Sequence, residues 1–189
     1  MFSIDLDEKH QKDLEELFRT MPQVAEKILN KSLKKVMTYV KEIEKKHMQK
    51  KYTPESDLLS GAKAFKIRAK NGEAEIHLAT KRNKMTSFDI SSKTPVHSKP
   101  GKFIKVAITR GNTTEMSTMF WGFYKKKGKR FGLGLYKRNR TSTNKHITPI
   151  RTVSLFQMSY IPTKEDEEKM KEIFRNDLMN EMRYLTNEK

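Results

Sequence analysis

Along the first fifty residues the spacing of apolar side chains changes twice. Phe2, Ile4 and Leu6 alternate with polar residues, which is the period of a short strand. From Asp7 the period lengthens, and Leu14, Leu17, Phe18 and Met21 share one helical face that ends near Pro22. Val24, Ile28, Leu29, Leu33, Val36, Val40 and Ile43 then trace one stripe to about Lys50, predicting a long amphipathic helix with lysines on its opposite face. Thr20 and Gln23 have the spacing of a capping box. Pro22 suits the first turn, where its missing N–H costs nothing.

"TPESD" predicts a third helix from 54 to about 64, with Thr53 as its cap and Pro54 as its first residue. "KNGEA" is a turn into the alternating strand "EAEIHLAT". Residues 81–102 are poor in apolar side chains apart from "TSFDIS", and their breakers predict an exposed loop over 91–102. "FIKVAIT" reads as a strand, "RGNTTE" as a turn and "MFWGFY" as a strand. "KKKGKR" is a tight basic turn and "FGLGLYK" the antiparallel return. In that return Gly132 and Gly134 alternate with Phe131, Leu133 and Leu135, leaving a bare face for Trp121 or Phe123 of the partner strand to cover. "NRTSTNKH" reads as loop, and "ITPIRTVSLFQMSYIP" as an extended segment followed by one helical turn. The last helix is capped by Thr163 with Asp166. It buries Met170, Ile173, Phe174, Leu178, Met182 and Leu185.

This order predicts an α+β fold: N-terminal helices, one of them long, a central antiparallel β-sheet with a basic hairpin, and a C-terminal amphipathic helix. The 189 residues read as a single domain made of a helical part (1–66), a sheet block (67–151) and a C-terminal segment with its helix (152–189).

Charge sharpens the picture. Lysines and arginines outnumber acids 40 to 23, for a net +17, and most of the excess lies in residues 93–151, where Glu115 is the only acid. A field of one sign attracts phosphates or an acidic partner and repels copies of itself. Lys125, Lys126, Lys127, Lys129 and Arg130, at the hairpin turn, are the candidate contact with DNA or an acidic protein. The plainer reading of the same residues is a solvated turn. Hydrophobic residues are only 35% of the chain, so part of it is expected to extend into solvent or pack on a partner.

Chemistry is sparse. The absence of cysteine excludes disulfides and thiol catalysis. The histidines (His10, His47, His77, His97 and His146) have no metal-ligand spacing, and there is no HExxH, GxSxG or GxxxxGK[ST]. The paired acids Glu15–Glu16 and Glu165–Glu168 sit on amphipathic helices as solvated faces. "MFSIDLDEK" lacks the apolar core of a signal peptide, and no apolar run approaches the roughly 18 residues of a membrane span. The chain therefore reads as a non-enzyme, with no catalytic residue, metal, cofactor or membrane contact. "KRFGLGLY" offers Arg130, Phe131, Gly132 and Tyr136 to the RNA-recognition consensus, but leucines stand where stacking aromatics belong. A basic nucleic-acid-binding protein, stacking bases on Trp121, Phe123 and Tyr136, is the alternative function.

Several stretches taken in order resemble the minor tail protein Z family, the tail-completion proteins of long-tailed bacteriophages. They are "LEELFRTMPQVAEKILNKSLKKVMTYVKEI", "KKYTPESDLLSGAKAFKIRA", "KPGKFIKVAI", "MFWGFYKKKGKRFGLGLYKR" and "ITPIRTVSLFQM". Thr152, Val153, Ser154 and Leu155 depart from the glycine- and proline-containing late signature of that family. The resemblance implies a structural virion protein of the tail or neck, assembled in the bacterial cytoplasm. It would join the head-proximal end of the tail to the head connector. It also implies a homo-oligomeric ring, expected to be a hexamer, that meets tail-terminator or tail-tube and head-connector proteins and touches genome DNA without sequence preference. Arg151, Phe156 and Met158 are the expected subunit or partner interface, where Arg, Met and aromatics are enriched.

Overall fold

The computed structural model describes residues 8–61, 63–91, 104–116, 119–126, 129–138 and 147–187. The strand expected at 2–6, the loop expected over 91–102 apart from Ser91, and the loop expected over 139–146 lie outside them. The elements are α1 (Glu8–Thr20), α2 (Pro22–Lys51), α3 (Ser56–Ser60), β1 (Phe65–Lys70), β2 (Glu73–Leu78), β3 (Asp89–Ile90), β4 (Ile104–Thr109), β5 (Asn112–Met116), β6 (Met119–Lys126), β7 (Lys129–Arg138), β8 (Ile147–Pro149) and α4 (Lys164–Asn187). Short 3-10 turns lie at Met85–Ser87 and Phe156–Met158. This is an α+β fold whose strands form three antiparallel sheets, β1-β2, β3-β4-β5 and β6-β7-β8. The chain divides into two compact units, each assembled from separated segments: a helical unit of 1–44, 65–77 and 160–189, and a sheet unit of 45–64 and 78–159.

In the helical unit, Ile28, Val36, Met37 and Val40 of α2 form one buried cluster with Met170, Phe174 and Leu178 of α4. Leu14 and Leu17 of α1 and Ile67, Ala74 and Ile76 of the β1–β2 hairpin pack against it. The hairpin turns on Asn71 (φ 56°) and Gly72 (φ 76°), two left-handed residues in series, as a two-residue turn requires. Phe18, expected on the buried face, is 38% exposed, because Leu14, Leu17 and Met21 already complete the α1 stripe one step away. The expected Thr20–Gln23 box does not form. The Thr20 hydroxyl donates back to the Glu16 carbonyl at 2.8 Å, and Met21 makes the break between α1 and α2. At α4 the predicted cap is present: the Asp166 N–H donates to Thr163 Oγ1 (3.2 Å) and the Thr163 N–H to Asp166 Oδ2 (2.9 Å). That backbone bond, followed by the Thr163 hydroxyl, holds the Asp166 carboxyl below its ordinary pKa.

The buried line of α2 runs Ala25, Ile28, Ser32, Val36, Val40, Glu44 and Met48, so two polar residues occupy apolar positions. Ser32 is fully buried, and its hydroxyl has no hydrogen-bond partner among the described residues. Opposite α2, the buried Asp177 of α4 takes Lys35 on one oxygen, and Glu181 takes Lys31 at 2.6 Å. Glu44 accepts the Tyr160 N–H at 3.0 Å, at the point where the chain re-enters the helical unit. Burial raises the Glu44 pKa, and the Tyr160 bond only partly offsets it.

The sheet unit begins with the last turns of α2. Their free carbonyls are met by Arg110, whose Nε donates to Gln49 O (2.7 Å) and whose N–H donates to Lys51 O (3.0 Å). Thr53 and Pro54 do not start a helix. They run extended in the bridges around Tyr52–Thr109 and Pro54–Phe88, with the Thr53 hydroxyl on the Ala107 carbonyl, so α3 begins only at Ser56. Pairing to β4 outcompetes the local helix signal. "RGNTTE" is likewise not all turn: Gly111 (φ 76°) turns the chain, and Asn112–Met116 is strand. Met85, Ile90, Ile104, Val106 and Leu135 form the buried cluster here, with Met119, Trp121 and Ile150 around it.

Ser32→Ala replaces an unpartnered buried hydroxyl with a methyl and improves helix propensity. It should raise unfolding stability by about 1 kcal/mol, read from the urea midpoint at unchanged slope. A carboxyl whose folded pKa is raised costs stability as pH climbs from its ordinary value to the folded one, and that cost persists above it. Glu44→Gln keeps an oxygen for the Tyr160 N–H and removes the charge. Its stability should exceed that of the wild type at pH 7, with the gap closing as pH falls towards the ordinary carboxylate range, as thermal melts across pH would show.

Candidate functional site

Sorting the sequence by fold unit separates the charge more sharply than sorting it by position. The sheet unit holds 23 lysines and arginines against four acids, net +19, and the helical unit 17 against 19, net −2. Of the four acids in the sheet unit, Glu115 is bound across the β4–β5 ladder to Lys105 at 2.9 Å. His47, in the same unit, has its pKa lowered by burial and then by Lys51 and Lys50. That is the expected response of an imidazole in a cationic setting.

The hairpin β6–β7 pairs Met119 with Lys137, Trp121 with Leu135, Gly122 with Gly134 and Phe123 with Leu133. The register then slips by one residue, and Tyr124 pairs with Phe131, leaving Gly132 as the extra residue of a bulge. Beyond it Lys125 stands opposite Arg130 and Lys126 opposite Lys129. Like charges at directly opposed positions, about 5 Å apart at Cβ, weaken a ladder. Lys127 lies outside the described residues.

The bare face of the glycines is covered otherwise than expected. A Cβ on Gly134 would meet the Tyr136 ring at 3.3 Å, and one on Gly122 would meet Phe120 at 3.4 Å. Phe120 and Tyr136, with ring centroids 6.4 Å apart, close that face at Gly122 and Gly134; the side chain of Phe123 lies outside the described residues. Tyr136 is buried, and Trp121 packs on the core with its indole N–H buried and without a partner among the described residues. Tyr136 offers no open ring for stacking a base.

The residues expected at an interface separate. Met158 is 1% exposed, a core residue of its own unit, because the 3-10 turn at Phe156–Met158 directs it inward. Phe156 is 60% exposed, and Arg151 is exposed. Both belong to a ragged antiparallel ribbon that sequence reading missed. Phe156 N–H donates to Ala79 O (3.2 Å), Asn83 N–H to Val153 O (3.2 Å), Thr152 N–H to Asn83 O (2.9 Å) and Met85 N–H to Ile150 O (3.3 Å). Lys84 bridges Arg151, and the Arg151 guanidinium donates to the Arg82 carbonyl at 3.1 Å. Exposed Lys81, Arg82, Lys84 and Arg151 are thereby gathered on one ribbon from segments about seventy residues apart in sequence. Only the run "KRNK" at 81–84 hinted at it.

An open groove of about 590 Å³ runs along α4, lined by Glu165, Glu168, Lys169, Glu172, Arg175 and Asn176. Its acids alternate with cations, and Glu168 is bonded to Lys171 at 2.8 Å. Among the described residues no group of His, Asp and Glu is placed to hold a metal, and no helix is long and apolar enough to cross a membrane. No protein-family model matches the chain, and neither a curated protein nor a solved structure matches it.

Gly134→Ala forces a Cβ against a buried tyrosine that has little room to yield. It should destabilise the protein by about 1–3 kcal/mol, seen as a lower denaturation midpoint.

Proposed function

We propose that this protein is a non-enzymatic structural component of a long-tailed phage particle. On this reading it completes the tail and joins its head-proximal end to the head connector as a ring of identical subunits. The observation that carries the reading is the division of charge between the two fold units, +19 and −2. Head-to-tail contacts around a closed ring need two unlike faces on every subunit. A strongly cationic unit and a weakly anionic one supply such faces, and the order of motifs resembling tail-completion proteins agrees with this use.

A cationic unit of this size repels its own copies. Lining a passage for genome DNA would offset that repulsion, because phosphates take the place of small counterions. The tip formed by Lys125, Lys126, Lys127, Lys129 and Arg130 is the part of the unit assigned to that contact. The reading needs no reactive group.

Two experiments test it. The protein should be found by mass spectrometry in purified particles of the phage that encodes it, and losing its gene should leave heads and tails unjoined in electron micrographs. Reversing charge at Lys125, Lys126, Lys129 and Arg130 should leave the fold intact and lower the yield of infectious particles at least about tenfold, a loss of charge-assisted contact of roughly 1.4 kcal/mol or more. Normal joining and genome delivery by that variant would reduce the tip to a solvated turn.

A further inference from the structure

The ribbon of residues 79–85 against 150–156 carries more than its place in the fold requires. Backbone bonds hold its strands together, helped by the Arg151 guanidinium on the Arg82 carbonyl, and do not depend on the charges of its cations. Those charges work against the pairing: Lys84 and Arg151 are directly opposed, and like charges so placed are destabilising. Among the described residues no carboxylate pairs with Lys81, Arg82, Lys84 or Arg151. Arg151 is also held in place. Its bond to the Arg82 carbonyl occupies one face of the guanidinium and leaves the other N–H groups available, so a bidentate phosphate contact would cost less ordering than at a free side chain.

The same ribbon ends in an aromatic ring. Phe156 is 60% exposed, and its N–H is bonded to Ala79, two residues before Lys81. Burying a phenylalanine in its own core would stabilise the fold, so leaving it out on a turn beside cations is an expense with no return inside the chain. Four residues, Thr152 to Leu155, separate Arg151 from Phe156, and the chain leaves the extended conformation at Leu155, so ring and guanidinium are joined by at most roughly 16 Å of chain. An open aromatic face and a row of cations along such a length match what single strands need: cations follow the phosphates, and a ring stacks on an unpaired base. A duplex has its bases already stacked and gives such a ring nothing to cover.

We infer that this ribbon is a binding surface for single-stranded nucleic acid, with Arg82, Lys84 and Arg151 on successive phosphates and Phe156 stacked on a base. The assignment is independent of the particle proposed above. It would hold for a protein acting alone, and it uses different residues from the β6–β7 tip.

The test is fluorescence anisotropy with full-length protein and a labelled oligo-dT of about 16 nucleotides, titrated across a salt series. The two kinds of side chain leave different signatures. Arg82→Gln with Lys84→Gln, both exposed and leaving the Arg82 carbonyl to accept from Arg151, should flatten the salt dependence by about 0.7 per charge removed. Phe156→Ala should weaken binding roughly 5- to 150-fold with the salt slope unchanged. Circular dichroism confirms that each variant is folded. A matched duplex should bind more weakly than the single strand and be indifferent to Phe156→Ala. The inference is overturned if the double variant keeps the wild-type slope, if Phe156→Ala binds oligo-dT like the wild type, or if polyglutamate displaces the oligonucleotide at equal charge, which would make the surface a dock for acidic protein.

Discussion

Self-repulsion among 23 cations with only four acids between them is the constraint that the sheet unit has to satisfy. Long-range repulsion is spread over the surface and screened beyond a Debye length of about 8 Å, so burial and backbone pairing must outweigh it at short range. They do so with a small set of residues. Phe88, Val106, Leu135, Leu155 and Met158 are each at most 3% exposed, and Tyr136 closes over two glycines that leave it room. The unit also keeps its termini saturated. Arg110 caps the end of α2 with side chain and backbone, and Thr53 trades a helix cap for a bond to the Ala107 carbonyl. A unit held together this way can carry a large positive field. Lys105–Glu115 is the cross-strand pair among its described residues.

The helical unit solves the opposite problem. Its acids and bases nearly balance, and it uses them locally, in the Lys31–Glu181 and Lys35–Asp177 contacts between α2 and α4 and in the Thr163–Asp166 cap. Ser32 and Glu44 sit on the buried line of α2, where apolar residues would hold better. A buried polar group without compensation weakens packing, and one with a partner fixes an arrangement. Glu44 belongs to the second kind: its bond to the Tyr160 backbone ties the end of one segment of the unit to the start of another.

What sequence revealed follows from how local each signal is. Long amphipathic stripes survive any tertiary context, so α1, α2 and α4 were legible almost to the residue, and the Thr163–Asp166 spacing marked a real cap. "NG" and "KKKGKR" marked hairpins because a tight turn is decided by adjacent residues. The failures are places where a distant strand outcompeted a neighbour. Thr53 and Pro54 read as a helix start until β4 claimed the first and Phe88 bridged the second, and Thr113 and Thr114 read as turn until they paired with Ala107 and Val106. The buried Ser32 was hidden for the reverse reason. A stripe is recognised by its apolar members, and a serine four residues from Ile28 and from Val36 passes as a gap. The cationic ribbon was invisible on the same ground: no window of sequence contains both Arg82 and Arg151.

That last case bears on how the basic hairpin and the ribbon divide the work. The hairpin tip is conspicuous in sequence because its five cations fall within six residues. The ribbon is the reverse, with few charges, one guanidinium held against a carbonyl and one exposed ring. A guanidinium already held loses little freedom when a ligand arrives, which favours one strand geometry over others, whereas a run of like charges mainly raises the local concentration of any polyanion. On the two proposals made above, the first surface would collect nucleic acid and the second would hold it in one orientation, and neither role calls for a reacting group.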